Sequence, residues 1–130
     1  MKTIQVSTGK KVDMIDITGD IRKIVSQSGV NEGICVVYVP HTTAGITINE
    51  GADPDVRTDI MMALKSFNFE KLPFRHSEGN SPSHSKASII GASETIIIEG
   101  GKLALGTWQS IFFCEYDGPR SRKVYIKIVS

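Results

Sequence analysis

The segment from Gly33 to Val39 constrains the fold more than any other, because it is apolar on both of its alternating faces. A strand of this kind fits the centre of a sheet that is covered on both sides. Pro40 ends the strand, since proline has no N–H group to donate to a neighbouring strand. We therefore expect a sheet in which this segment is an inner strand.

The remaining periodicity predicts several further strands and few helices. Alternating strands are expected at the N-terminus, where the first two would form a hairpin, at Ile46–Glu50, and throughout the last third of the chain. The clearest helix starts at Asp53 and Pro54, and its apolar stripe runs to Phe67. About eight strands with two or three helices, in no regular alternation, predict an α+β domain of mostly antiparallel sheet.

Composition excludes several classes of protein. A chain of 130 residues with 40% hydrophobic residues fits one globular domain, expected to span residues 1–130. A net charge of +1 argues against a nucleic-acid partner, and no run approaches the roughly 18 apolar residues of a membrane span. Cys35 and Cys114 lie in apolar strands and no signal peptide is evident, so we expect buried thiols and a cytoplasmic location.

The three histidines are the first candidates for chemistry. His41 directly follows the inner strand, and His76 and His84 bracket an irregular loop. Three neutral imidazoles from separate loops would suit a divalent metal ion, Zn or Mg, with an open coordination position. One of them could instead be a general acid or base near neutral pH. The plainest alternative is that all three are solvent-exposed loop residues.

Acidic residues before the predicted helix are the second candidate. Glu50 falls at the junction of strand and helix, where a side chain can be aimed into a cleft. Carboxylates at a helix start could hold magnesium for a diphosphate substrate. The alternative is helix capping, which is favoured for Asp53.

The segment Gly106–Ser110 is the third candidate, with Thr107, Trp108 and Gln109 in consecutive positions. A kinked backbone with exposed amides could cradle a phosphate, and a flat ring could pack on the indole. The alternative is the start of a bulged strand with a core tryptophan. The cations that could complete an anion pocket are Lys86, Arg120 and Arg122.

Taken together, these segments resemble the YjbQ family in order and spacing from the third strand to the end of the chain. The segments that carry the resemblance are Pro40-His-Thr-Thr-Ala-Gly-Ile-Thr-Ile-Asn-Glu50, Ala52-Asp-Pro-Asp-Val56, Arg75-His76, His84-Ser-Lys86 and Leu103-Ala-Leu-Gly-Thr-Trp-Gln109. The resemblance implies a β-sandwich that forms a homotrimer. It also implies a transferase, a secondary thiamine-phosphate synthase that joins hydroxymethylpyrimidine diphosphate to thiazole phosphate and releases pyrophosphate.

The resemblance further implies roles for individual residues. The metal ligands would be His41, His76 and His84, the catalytic residues Glu50, Asp53 and Lys86, and the substrate-binding residues Thr107, Trp108, Gln109 and Arg120. The alternatives are a metal-assisted hydrolase of another phosphorylated or ester substrate, or a non-catalytic trimeric protein that binds a small phosphorylated metabolite. The segment Gly79–Ser83 departs from the acidic stretch of many relatives, which puts a carboxylate role for this loop in doubt.

Overall fold

Eight strands and three helices are present in the computed structural model, which describes residues 1–130. The strands are β1 (Lys2–Ser7), β2 (Asp13–Asp16), β3 (Gly33–Tyr38), β4 (Ala44–Glu50), β5 (Ser93–Glu99), β6 (Lys102–Leu103), β7 (Gln109–Glu115) and β8 (Ser121–Val129). The helices are α1 (Thr18–Ser28), α2 (Pro54–Lys65) and α3 (Ser81–Ile90), with a single 3-10 turn at Phe69–Lys71. All strand pairs are antiparallel: the large sheet has the order β1-β8-β3-β5-β6, and the small sheet the order β2-β7-β4.

The two sheets share one hydrophobic core. Val37 and Val124 of the large sheet join Ile46 and Phe113 of the small sheet, and Ile21 of α1 completes the same cluster. All five side chains are fully buried. Burial of such a side chain contributes roughly 1.5–3 kcal/mol, so this shared core is what holds the sheets together. The predicted α+β fold with a two-sheet sandwich is confirmed.

The β3 strand lies in the middle of the large sheet, as predicted, but only one of its faces is covered. Cys35 and Val37 are fully buried, whereas Ile34 and Tyr38 on the other face are 38% and 45% exposed. The prediction of a strand covered on both faces is therefore wrong for the single chain.

The predicted N-terminal hairpin is also wrong. β1 pairs with β8 in the large sheet, whereas β2 pairs with β7 in the small sheet. The crossing between sheets is fixed at Thr8, whose backbone N–H donates to the Arg120 carbonyl oxygen and whose hydroxyl donates to Glu115. A side chain at Gly118 would overlap the Lys10 carbonyl oxygen, so this crossing requires glycine there.

The helix boundaries follow their local signals. The Asp53 side chain accepts a hydrogen bond from the Asp55 backbone N–H at 2.9 Å, and Pro54 is the first residue of α2, as predicted. Gly29 ends α1 in the left-handed region at φ 70°. The predicted apolar stripe of α2 is buried only in part, because Phe67 beyond its end is 59% exposed.

Both cysteines are buried and free, as predicted. Burial raises the pKa of the Cys35 thiol to about 11 and that of the Cys114 thiol to about 12, so neither is an activated nucleophile. None of the three helices combines the length and the apolar character that a membrane crossing demands.

Candidate functional site

One polar cavity of about 920 Å³ is lined by all three histidines. We call it the histidine cavity and define it by His41, His76, His84, Asp117 and Arg120. His41 enters from the segment between β3 and β4, His84 from the first turns of α3, and His76 from the loop before that helix. Three residues that are far apart in sequence thus contribute imidazoles to the same space.

His76 and His84 lie against each other. Their ring centroids are 5.5 Å apart and the planes are nearly perpendicular, in an edge contact. The His76 Nε2 atom is 4.0 Å from Glu78 Oε1, at the limit of an ion pair. The first turn of α3 is anchored beside them, because the Ser83 hydroxyl donates to the Tyr116 carbonyl oxygen at 2.6 Å. The fold therefore holds the two rings together without engaging them in its own hydrogen bonds.

His41 is held differently. Its Nε2 atom accepts a hydrogen bond from the Lys123 backbone N–H at 2.9 Å. An acceptor nitrogen carries no proton, so neutral His41 has its proton on Nδ1. Burial and the positive charge of Arg122 lower the pKa of His41. His41 is consequently suited to act as a neutral hydrogen-bond donor through Nδ1.

Beneath the cavity lies a buried ion pair between Arg122 and Glu115, which are 3% and 0% exposed. Arg122 donates from Nε to Glu115 Oε1 at 2.9 Å and from Nη2 to Oε2, while Nη2 also donates to the Thr43 hydroxyl at 2.8 Å. The Thr8 hydroxyl donates to Oε1 at 2.7 Å. Burial alone would raise the pKa of Glu115, but these hydrogen bonds outweigh it and lower the pKa. Both Glu115 oxygens and two of the three Arg122 nitrogens are engaged, so the pair supports the cavity floor.

Arg120 supplies the exposed positive charge of the cavity. Its Nε donates to the Asp117 carbonyl oxygen at 2.9 Å, and its Nη2 donates to Asp117 Oδ2 at 3.1 Å. Asn80 Nδ2 donates to the same carboxylate oxygen at 3.0 Å. A guanidinium has five N–H donors, and the Arg120 side chain is 50% exposed, so donors remain for an anion from solution.

Sequence reasoning missed two parts of this arrangement. Asp117 is not among the predicted site residues, although it orients Arg120 and Asn80. The Glu115–Arg122 pair was also missed. Its signal is a charged residue in each of two apolar strands, on either side of the turn at Asp117–Pro119.

Only two of the three histidines have an imidazole ring that is free of hydrogen bonds and could bind a metal ion. No three His, Cys, Asp or Glu side chains of the chain are grouped closely enough to hold one. The Nε2 lone pair of His41 is already used, which leaves His76 and His84. Further ligands would have to come from water or from another copy, and the divalent ion stays a prediction.

The predicted acidic and aromatic site residues lie at the other end of β4. His41 precedes this seven-residue strand and Glu50 ends it, so they are on the order of 20–25 Å apart. Glu50 Oε2 accepts from the backbone N–H of Asp53, the N-cap residue of α2, at 2.6 Å. The segment Thr107–Gln109 lies beside Glu50, and Trp108 is 64% exposed rather than part of the core.

Lys86 does not reach the histidine cavity either. It lines a second cavity of about 470 Å³, where its Nζ is 3.3 Å from Glu70 Oε1. The ten predicted site residues therefore fall into three places. The histidine cavity keeps His41, His76, His84 and Arg120.

Sequence and structure comparisons identify close relatives. The sequence model of the family described as UPF0047 protein YjbQ-like matches residues 2–130. UPF0047 protein YugU of Bacillus subtilis is 48% identical over 130 residues, covering 99% of this chain and 98% of that protein. UPF0047 protein MJ1081 of Methanocaldococcus jannaschii is 54% identical over 125 residues, covering 96% of this chain and 91% of that protein.

Solved structures agree with this relationship. A crystal structure of a YjbQ/UPF0047 family protein from Clostridium acetobutylicum gives a TM-score of 0.96 at 52% identity, covering 99% of this chain and 100% of that one. A protein from Sulfolobus solfataricus, described as YbjQ-like and of unknown function, gives a TM-score of 0.93 at 36% identity. The match covers 98% of this chain and 94% of that one.

These descriptions overturn the predicted thiamine-phosphate synthase. Relatives this similar carry a family designation and no reaction. Their descriptions support neither of the two alternatives, a metal-assisted hydrolase and a phosphometabolite-binding protein. The geometry gives a physical reason as well. The diphosphate-handling residues Glu50 and Lys86 and the ring-packing Trp108 do not share a cavity with the histidines.

Proposed function

The chain belongs to the YjbQ-like UPF0047 family, and on that premise we propose that its histidine cavity is the active site of an enzyme that transfers protons to and from a small, polar, anionic substrate. One observation carries the proposal: His76 and His84, two imidazoles with no hydrogen bonds of their own, touch inside a polar cavity that also holds Arg120.

Proton transfer is assigned to the two touching imidazoles. Imidazole is the side chain best suited to give and to accept protons near neutral pH. The edge contact between His76 and His84 places a donor and an acceptor within reach of one substrate. Because both cysteines are buried and inactive, no covalent intermediate on a thiol is part of this chemistry.

Substrate binding is assigned to the donors around that pair. Arg120 presents an exposed guanidinium, and His41 presents a neutral Nδ1–H beside it. Both recognise an oxyanion, and donors of this kind position a substrate and stabilise negative charge that develops on it. A small phosphorylated metabolite stays the predicted partner within this proposal. A divalent ion, Zn or Mg, would use the same lone pairs of His76 and His84 as proton transfer does.

The homotrimer implied by the family resemblance also belongs to this proposal. Four large apolar or aromatic residues are between 38% and 63% exposed on the outer face of the large sheet: Ile34, Tyr38, Ile97 and Val129. A contiguous apolar face of this kind is typical of an interaction surface. Tyr38 stacks on Tyr125 at 6.4 Å and also lines the histidine cavity, so a second copy on this face would border the site.

The test is proton exchange and turnover in D₂O. Purified protein is incubated with a panel of small carboxylates and phosphate monoesters, and ¹H NMR follows product formation and deuterium incorporation. For a compound that is turned over, we expect His76→Gln and His84→Gln each to lower the rate by about 10²–10⁴-fold. Lys23→Met, a change at an exposed residue of α1, is the matched control and should keep the wild-type rate. Wild-type turnover by the His76→Gln, His84→Gln double variant would contradict the proposal. Metal analysis of the same samples distinguishes a bound ion from free imidazoles.

A further inference from the structure

We propose that the second cavity is a binding site for a small carboxylate with a short apolar tail, separate from the histidine cavity. We call it the Lys86 cavity. It has a volume of about 470 Å³ and is bounded by α2, the 3-10 turn and α3. Asn80 is the only residue that lines both cavities. The volume is within the range of small-molecule sites in proteins, about 300–1,000 Å³.

The first observation is an incompletely paired ammonium. Lys86 is only 6% exposed, and its Nζ has a single partner, Glu70 Oε1, at 3.3 Å. The Glu70 side chain is 58% exposed, so it is free to turn into solvent. An ammonium has three donors, and a buried charge is costly unless it is paired and hydrogen-bonded. Lys86 therefore has unused capacity for a second acceptor.

The second observation is a buried tyrosine among the residues that line the same cavity. Tyr116 is 1% exposed, and its hydroxyl is hydrogen-bonded to no oxygen or nitrogen atom; the neighbouring Cys114 thiol is only a weak partner. Buried polar groups in folded proteins are almost always well paired. Burial raises the pKa of Tyr116, which keeps the hydroxyl protonated and able to donate. Tyr116 is thus a second, weakly paired donor among the residues that line the cavity.

The third observation is the composition of the wall. Apolar surface comes from Val12, Met61 and Leu64, and two further ammonium groups, Lys11 and Lys65, also line the cavity. With Lys86 there are three positive charges against the one carboxylate of Glu70. This combination fits an anionic head with an apolar tail, and a carboxylate head would take the place that Glu70 occupies at Lys86.

The test uses hexanoate as the probe and hexanamide as its uncharged match, with binding followed by ¹H–¹⁵N NMR and calorimetry. We expect saturable hexanoate binding at millimolar concentration and at least about tenfold weaker binding of the amide. Glu70→Gln removes the internal competitor and should tighten hexanoate binding about 3–10-fold. Lys86→Met should abolish it, and Lys23→Met should leave it unchanged.

The proposal would be overturned by no saturable hexanoate binding to the wild type, by equal binding of hexanamide, or by weaker hexanoate binding to Glu70→Gln. Because Glu70 is exposed, its variant tests the site even where Lys86→Met does not fold. Hexanoate should bind His84→Gln as it binds the wild type. Loss of binding in that variant would place the probe in the histidine cavity and would equally overturn the inference.

Discussion

Arg122 and Lys86 are almost equally buried, at 3% and 6% exposure, yet the structure satisfies them very differently. Arg122 is bound to a fully buried Glu115 through two nitrogens and to Thr43 as well. Lys86 has one 3.3 Å contact with a largely exposed Glu70. Burial of a charge therefore does not by itself indicate function. A buried charge with a buried counter-ion supports the fold, and one whose only partner is exposed is available to a ligand.

Loss of the buried Arg122–Glu115 ion pair should change the free energy of unfolding more than the other substitutions considered. Arg122→Met leaves Glu115 buried without its partner, which should lower the free energy of unfolding by about 3–5 kcal/mol. Urea denaturation followed by circular dichroism measures this. The matched control is Arg120→Met, at a half-exposed ion pair, which should change the same quantity by no more than about 1 kcal/mol. A loss below about 1 kcal/mol for Arg122→Met would show that the pair is not a structural support.

Lys86, whose only partner is an exposed carboxylate, should contribute much less to stability. Lys86→Met keeps an apolar stem of similar length and removes a poorly paired buried ammonium, so the free energy of unfolding should change by no more than about 1 kcal/mol. The same denaturation experiment measures it. A loss as large as that of Arg122→Met would erase the contrast between the two residues and would make Lys86 a structural residue.

Local sequence signals predicted the elements well. Alternation identified most strands, and the Asp53-Pro54 cap located the start of α2. These signals did not predict which strands pair, because a period of two shows which residues share a face of a strand and not which strand lies beside it. The pairing of β1 with β8 depends on contacts between residues more than a hundred positions apart, such as Ile4 with Val124. The same limit explains the wrong hairpin.

The candidate site was predictable only in part. The three histidines were recognised by residue type and position, and the structure brings them to one cavity with Arg120. Spacing could not show that Lys86, two residues after His84 in the chain, faces a different cavity. Two residues of one helix that are two positions apart point in different directions, so the His84-Ser-Lys86 motif contributes to two sites.

We infer that the histidine cavity combines a neutral His41 with two imidazoles that respond to a bound anion. Because the pKa of His41 is lowered, its neutral form is favoured by folding. That stabilisation is complete above the ordinary value of about 6.5 and is lost as the pH falls through the lowered value.

Long-range ¹H–¹⁵N NMR of the histidine rings at pH 6.5, with a titration of inorganic phosphate, measures both properties. We expect a mostly neutral His41 protonated on Nδ1, and saturable phosphate shifts of His76 and His84 that Arg120→Met abolishes. A mostly charged His41, or phosphate that leaves both ring signals unmoved, would contradict it.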